Sequence, residues 1–438
     1  MTATATSSPA TLHHEAGAET FTPREPLCRA CGEPLRHTFV DLGMSPLCES
    51  FVPADRLNDM EPFYPLHARV CSGCFLVQLE EYVSPHDIFN DYAYYSSYSD
   101  SWVRHAEAYV ERMIPLLGLS RDSRVVEIAS NDGYLLQHFA RHGIPAVGVE
   151  PAENVALAAA AKGIRTLVEF FDRDSAARLL MDGPADLIIG NNVLAQVPAL
   201  NDFVAAMRLL LAPEGIITLE FPHLLRLIQG HQFDTIYHEH FSYFSLLAVR
   251  SILERQGLRL FNVEELGTHG GSLRIYACRT EAGWHDHAAV QELERLERAQ
   301  GLASVPTYEE FGQRAMDSKH HLLRFLINAR RRGCTVAAYG APGKGNTLLN
   351  YCGIRTDLLA YTVDRNPYKH GRFLPGTHIP IYPPEKLAET KPHFILLLPW
   401  NLEEELTRQL AYTAAWGARL VVPIPRVRVI EPCAEVAP

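Results

Sequence analysis

Arg124-Val-Val-Glu-Ile-Ala-Ser-Asn-Asp-Gly133, followed by Ala146-Val-Gly-Val-Glu150, is the stretch on which the reading of the fold turns. Each begins as a short apolar run rich in β-branched residues, too brief for a helix and suited to a buried strand. The first is followed by a helical pattern near Tyr134–His142, the second by one over Ala152–Lys162. The alternation continues through Ala185-Asp-Leu-Ile-Ile-Gly190, a helix near Leu200–Leu211 and Gly215-Ile-Ile-Thr-Leu-Glu-Phe221. Strands that are apolar on both faces and separated by helices predict a doubly wound parallel sheet, an α/β Rossmann-like unit. Glu127 ends its first strand, and the small residues Ser130 and Gly133 let backbone N–H groups approach a ligand at the turn, with Asn131 between them. Glu150 ends the second strand, where an acid accepts both hydroxyls of a ribose. Ala129 and Asn131 stand where a dinucleotide fingerprint has glycines, which disfavours a pyrophosphate. S-adenosylmethionine, whose amino-acid end carries an ammonium and no phosphate, fits this pattern better; a plain α/β turn is the alternative.

A second series of the same kind follows. Ser101–Leu119, Val290–Gln300 and Tyr308–Arg332 read as amphipathic helices, and strands are expected at Thr335–Tyr339, Leu359–Val363, Phe394–Leu398 and Leu420–Val422. The turn after the first of these strands, Gly340-Ala-Pro-Gly-Lys-Gly-Asn-Thr347, has the form of a phosphate loop. It lacks the Lys and Ser/Thr after its last glycine that nucleotide hydrolysis needs, so a diphosphate bound without cleavage through Lys344, Asn346 and Thr347 is the expectation.

Ahead of both units lie Cys28-Arg-Ala-Cys31 and Cys71-Ser-Gly-Cys74. Each knuckle can aim two thiolates at one point, and four thiolates satisfy tetrahedral zinc in a closed, structural site; redox pairs or unrelated thiols are the alternatives. Gly32 and Gly73 sit where such turns need small residues. Cys48, Cys278, Cys334, Cys352 and Cys433 read as ordinary cysteines. The expected organisation is a mobile tail over residues 1–25, a zinc module over 26–85, a cofactor domain over 86–280 and a second Rossmann-like domain over 281–438. The 438 residues are 47% hydrophobic and carry a net charge of −11, which argues against disorder and against nucleic acid as a partner. No apolar run reaches the roughly 18–20 residues of a membrane helix, and neither a secretory signal nor a disulfide framework is visible; a cytoplasmic protein is expected.

The densest cluster of proton-transfer groups is Asp234-Thr-Ile-Tyr-His-Glu-His-Phe-Ser-Tyr-Phe244, in an insertion after the strand ending at Phe221. Open α/β sheets bind ligands at that edge. Tyr237, His238, Glu239 and His240 offer an acid, a base and an orienting carboxylate. A surface stretch, or a second metal site on the His-x-His pair, is the alternative.

Taken together the chain resembles the three-domain sugar C-methyltransferases that act on nucleotide-linked 4-keto-deoxysugars. The resemblance runs from Cys28 to about Pro425. It rests on the knuckles, Tyr92–Ser99, Glu127–Gly133, Asn191-Asn-Val-Leu-Ala195, Glu220-Phe-Pro-His223, Tyr237-His-Glu-His-Phe-Ser242, Thr268-His-Gly-Gly-Ser-Leu-Arg274, Tyr339–Tyr351 and Asp364-Arg-Asn-Pro367. It implies a zinc module, a central S-adenosylmethionine domain and a C-terminal Rossmann-like domain, with a sugar nucleotide, by family habit linked to thymidine diphosphate, between the last two. By the same resemblance Glu127, Ser130, Asn131, Gly133, Glu150, Asn191 and Asn192 hold the cofactor. Tyr237, Glu239 and His240 form the catalytic set, and Tyr92, Tyr94, Gln196, His223 and His238 lie toward the sugar, with Lys344, Asn346 and Thr347 on the diphosphate. Gln196 departs from the pattern, because the family has a histidine there; glutamine hydrogen-bonds but does not shuttle a proton at neutral pH. The expected chemistry is removal by His240, tuned by Glu239, of a proton beside the ketone, with Tyr237 or His238 donating to the enolate oxygen. Methylation of oxygen or nitrogen, a zinc-containing binding protein and an inactive homologue are the other readings.

Overall fold

The computed structural model describes residues 25–89 and 95–431. All of the expected tail but Glu25, together with Tyr92, Tyr94 and Cys433, lies outside the described residues.

The central sheet has seven strands. Across it they run Arg165–Leu167, Ala146–Val149, Val125–Ile128, Ala185–Asn191, Leu211–Pro222, Ser272–Arg279 and Leu258–Leu266. Numbered in chain order this is 3-2-1-4-5-7-6. The first five are parallel, and Ser272–Arg279 runs antiparallel to both its neighbours. The predicted alternation is therefore present, with every residue of Val125–Ile128 buried. Order reverses between Val125–Ile128 and Ala185–Asn191, so a crevice opens at their carboxyl ends.

The second sheet runs Ile381–Tyr382, Thr362–Val363, Val336–Tyr339, Phe394–Leu397, Arg419–Val422 and Arg428–Ile430, which is 3-2-1-4-5-6 with only the last pair antiparallel. Its switch point lies between Val336–Tyr339 and Phe394–Leu397. The strand expected over Leu359–Val363 shortens to Thr362–Val363, because the ladder with Val336–Tyr339 begins only at Ala338 opposite Thr362. The long helix expected over Tyr308–Arg332 is two, Val305–Glu309 and Phe311–Arg331.

The N-terminal sheet holds His37–Ser45, Tyr64–Val70 and Val77–Leu79, and its fourth strand is Ser242–Tyr243, from the insertion that follows the central fifth strand. Its apolar face packs on Tyr308, Phe311 and Ala315 of the C-terminal helices, and Phe39 stacks on Phe311 at 4.4 Å. The module thus bridges the two Rossmann-like units. Among the described residues no helix is long and apolar enough to cross a membrane.

Candidate active site and zinc centre

In the N-terminal module the four knuckle sulfurs lie within 4.8 Å of one another, with Cys28 Sγ 3.6 Å from Cys74 Sγ and Cys31 Sγ 3.4 Å from Cys71 Sγ. A tetrahedron with zinc–sulfur bonds of about 2.3 Å has edges of about 3.8 Å, so the thiols fit zinc as they stand. Gln78 Nε2 donates to Cys28 Sγ at 3.2 Å and the Gly73 N–H to Cys71 Sγ at 3.3 Å. Hydrogen bonds from Cys71 and Cys74 hold the Cys28 thiol far down, while those two thiols are pushed up; a divalent cation removes that conflict. Gly32, at φ +80°, supplies the left-handed turn of the first knuckle.

The knuckle also reaches the insertion. Arg29, between Cys28 and Cys31, donates to the carbonyls of Phe241 and Leu79 and to Ser242 Oγ, the last at 3.1 Å. The strand Ser242–Tyr243 pairs with Gln78 and Val77. Both devices fix the chain immediately after His240.

At the crevice of the central sheet the turn after Val125–Ile128 is held in an unusual backbone. Ala129 (φ +55°) and Asn131 (φ +49°) are left-handed without being glycine, as is Asn192 (φ +56°) after the fourth strand. Such residues cost of order 1–3 kcal/mol each and persist where the surroundings over-determine them. Here the Ala129 N–H bonds to the Val149 carbonyl at 2.7 Å, the Asn131 N–H to Glu150 Oε2 at 3.0 Å and the Asn192 N–H to the Glu220 carbonyl at 2.7 Å. The two sites where glycine was expected thus adopt a glycine-like conformation.

Glu127 is 1% exposed, and neither of its carboxylate oxygens has a partner. Burial, then the charges of Glu150 and Asp132, push its carboxyl well above the usual range. Glu127 lies behind the wall of the crevice rather than in it, where a buried acid in this state would act on a cationic ligand group, such as the ammonium of S-adenosylmethionine, from beneath the turn. Glu150, raised by burial, lines the crevice and accepts from the Asn131 and Ala152 amides. Asn131, Asn191 and Asn192 line it too. Ser130 and Gly133 do not: Ser130 packs over Gly148, and Gly133 sits against Ile164 and Ala159. They shape the turn rather than face the ligand.

The crevice continues into a cavity of about 960 Å³ walled by all three parts of the chain. From the insertion come Tyr237, Glu239 and His240; from the second sheet's switch point come Pro342, Gly343 and Lys344, with Asn366 and Lys369 after its second strand. Gln196, at the end of the single turn Leu194–Gln196, also lines it.

His240 Nδ1 lies 3.3 Å from the Thr235 carbonyl, which makes Nδ1 the donor and Nε2 the basic lone pair; its ring packs on Tyr237 at 4.2 Å. Burial first, then His269 and Lys344, lower it to about 4, so the ring is neutral at pH 7. No bond joins it to Glu239: that carboxylate lies 3.5 Å from Cys48 Sγ, and burial and Glu49 raise it to about 8.

Four residues expected at the substrate are directed elsewhere. His223, 1% exposed, bonds Glu297 Oε1 through Nε2 at 2.7 Å. His238 donates to the Pro65 carbonyl at 3.1 Å and packs edge-on to Tyr64. Asn346 donates to the Cys48 carbonyl at 2.5 Å and Thr347 to the Ile236 carbonyl at 3.2 Å. All four join one part of the chain to another.

The cavity in turn contains residues that the sequence reading passed over. Trp102 and His269 line it. Trp102 stacks on His105 at 4.9 Å and meets His269 edge-on at 5.4 Å. Asn192 Nδ2 is 3.3 Å from His269 Nε2. Beneath them Glu220, fully buried, bonds His105 at 3.0 Å, Arg274 at 2.8 Å and Thr268 at 3.0 Å. His269 could have been found from its place in Thr268-His-Gly-Gly, where the chain turns sharply enough to put it at φ +54°.

A 3-2-1-4-5-7-6 sheet with Glu127 near the end of its first strand and Glu150 just after its second defines an S-adenosylmethionine-dependent methyltransferase, joined here to a Cys₄ zinc module and a second Rossmann-like domain. Residues 102–263 match the family model described as "Methyltransferase domain", residues 28–89 "Putative zinc binding domain" and residues 267–425 "C-methyltransferase C-terminal domain". The C-methyltransferase NovU of Streptomyces niveus is 35% identical over 404 residues, 92% of this chain and 96% of its own. The chain belongs to this family of zinc-containing C-methyltransferases. Among solved structures, magnesium protoporphyrin IX methyltransferase of Synechocystis PCC 6803 with bound SAM is 16% identical, covering 44% of this chain and 88% of its own at a TM-score of 0.31. The glycopeptide N-methyltransferase MtfA is 12% identical, covering 40% and 96% at 0.33.

Proposed function

We propose that the protein methylates a ring carbon, C3, beside the ketone of a nucleotide-linked 4-keto-6-deoxysugar. The observation that carries this reading is His240, neutral, with Nδ1 committed to Thr235 and Nε2 left as the base, in a cavity shared by the two Rossmann-like switch points. A methyl acceptor already rich in electrons, such as an amine, needs no such base. A carbon next to a carbonyl does. The likeness to a protein named as a C-methyltransferase supports the same choice.

Bound S-adenosylmethionine supplies the methyl group, held through Glu127, Glu150, Asn131, Asn191 and Asn192. His240 Nε2 takes the proton from C3, and Thr235 fixes the tautomer. Tyr237 packs against the imidazole and keeps its plane. Asn366 and Lys369 line the C-terminal side of the cavity and offer donors to the nucleotide. Gln196 holds a hydrogen bond to the sugar and transfers no proton, and proton abstraction is assigned to His240 in the retained Tyr-His-Glu-His cluster. Placing the reacting atoms about 3–3.5 Å apart supplies several kcal/mol of the barrier reduction.

The test is incubation with methyl-labelled S-adenosylmethionine and a panel of nucleotide 4-keto-6-deoxysugars, read by carbon NMR. A methyl on a quaternary ring carbon is expected, and H240N is expected to lose turnover while keeping cofactor affinity. A methyl on oxygen or nitrogen, or near-normal turnover by H240N, overturns the reading.

A further inference from the structure

We infer, on the basis of the reaction proposed above, that Lys344 is a catalytic residue: its ammonium stabilises the enolate oxygen rather than holding the substrate's diphosphate. Three observations carry this.

The first is that several of the loop's other anion donors are taken. The Glu49 carboxylate sits beside Gly343, in the first turn of the helix Gly343–Cys352, and the Ala341 N–H bonds Asp364 Oδ2 at 2.7 Å. Asn346 and Thr347 are committed to Cys48 and Ile236. A diphosphate placed against Ala341 and Gly343 would meet two carboxylates, Asp364 and Glu49.

The second is that Lys344 is aimed away from that loop. It lines the same cavity as His240, His269 and Tyr237. One of its hydrogens goes to Asn401 Oδ1 at 2.8 Å, and the ammonium lies 5.1 Å from the Trp400 ring centroid. Two N–H donors remain.

The third is that this position is built. Trp400 Nε1 donates to Asp234 Oδ2 at 2.6 Å, and Asp234 is fully buried with Oδ1 unpartnered. Asp234 belongs to the insertion and Lys344 to the second sheet's switch point, and Trp400, which bonds the first and lies against the second, joins the two sides of the cavity. Lys344, His240 and His269 line one cavity, where the charge of Lys344 helps to lower both imidazoles; burial lowers Lys344 too, and Asp234 opposes that by favouring its ammonium form.

His240 Nε2 takes the proton at C3; the C–H electron pair becomes the C3–C4 double bond, and the carbonyl π pair moves to oxygen. That oxygen gains a full negative charge, which an adjacent ammonium stabilises without a proton transfer. When C3 bonds the methyl group, the C–S pair stays on sulfur, the C4 carbonyl re-forms, and His240 returns its proton to water. Lys344 ends as it began.

The experiment compares wild type with K344M and K344R. Two readouts are taken: deuterium exchange at substrate C3 in the absence of S-adenosylmethionine, and KM against kcat for methyl transfer. K344M is expected to lose C3 exchange and at least a hundredfold in kcat, with KM for the sugar nucleotide changed less than threefold. K344R, which keeps the charge, is expected to recover part of both. A tenfold or larger rise in KM with kcat preserved assigns Lys344 to the diphosphate and overturns the inference, as does wild-type exchange by K344M. Cofactor affinity by calorimetry reports folding, and if K344M fails that control the double variant K344M/D234N, which removes both charges, is measured in its place with the same expectations. If wild type itself methylates oxygen or nitrogen without C3 exchange, the reaction proposed above fails instead.

Discussion

Replacing Arg29 by methionine keeps all four zinc ligands and removes only the arm that ties the knuckle to the insertion. Arg29 donates to the Phe241 carbonyl and the Ser242 hydroxyl of the insertion and to the Leu79 carbonyl of the neighbouring strand. Hydrogen bonds from a charged group are worth about 1.5–3 kcal/mol each. Burial already disfavours this guanidinium, lowering it to about 10, and its removal relieves that penalty. The Phe241 carbonyl also keeps the Leu79 N–H at 3.0 Å. Against a gross loss of two or three charged bonds, relief of desolvation leaves a net cost of about 3 kcal/mol. At about 1.4 kcal/mol per factor of ten, the opened form of the segment carrying His240 becomes roughly a hundredfold more populated. Hydrogen-exchange mass spectrometry should show this in the peptides containing Leu79 and Ser242, with zinc content unchanged and kcat down at least tenfold. Exchange and turnover both within twofold of wild type would refute the view that the knuckle positions the base.

Further outcomes are expected elsewhere. G148A places a Cβ 2.2 Å from Ser130 Oγ and 2.8 Å from Ser130 Cβ, so it should push the Ser130–Asn131 turn out of place. Cofactor affinity by calorimetry should fall at least tenfold, and G148A/S130G should restore much of it. The profile of kcat/KM should stay flat from pH 8 to about 5 and fall below that. Burial moves the protonation of His240 from the ordinary histidine range down to about 4, and only the neutral ring is a base. A falling limb near pH 8 instead would assign the base to Glu239. Folding stability follows the same sign for His240: the native ring stays neutral while the unfolded one protonates, so stability is lost as pH drops from about 6.5 toward 4. E220Q breaks a buried pair with Arg274 and should cost about 3–5 kcal/mol in denaturant unfolding. A loss below about 1 kcal/mol would show that Arg274 finds another partner.

Much of this was legible in the amino-acid order because it rests on local rules. Strands such as Val125–Ile128 are short apolar runs, and the knuckles carry their spacing on their face. The direction of a side chain in a loop obeys no such period. His238 and His240 are two residues apart, yet one serves Pro65 and the other the cavity, because the insertion turns between Tyr237 and His240. Asn346 and Thr347 carry phosphate-binding chemistry, but their partners Cys48 and Ile236 come from segments remote in sequence. Trp102 follows the same logic in reverse: it reads as one more apolar residue of the helix Asp100–Leu117, and only the crossing of that helix over the sheet makes it a wall of the cavity.

The fourth strand of the N-terminal sheet has a consequence for how the protein is made. Val77–Leu79 leaves the ribosome with one edge unpaired, and its partner Ser242–Tyr243 follows only after about 160 more residues. Throughout that interval the nascent chain exposes an edge on which another chain can pair. Zinc captured by the knuckles at this stage sets Arg29 and Gln78 in place as a ready template for the arriving strand. Metal supply during translation, more than afterwards, is therefore expected to govern the yield of active enzyme.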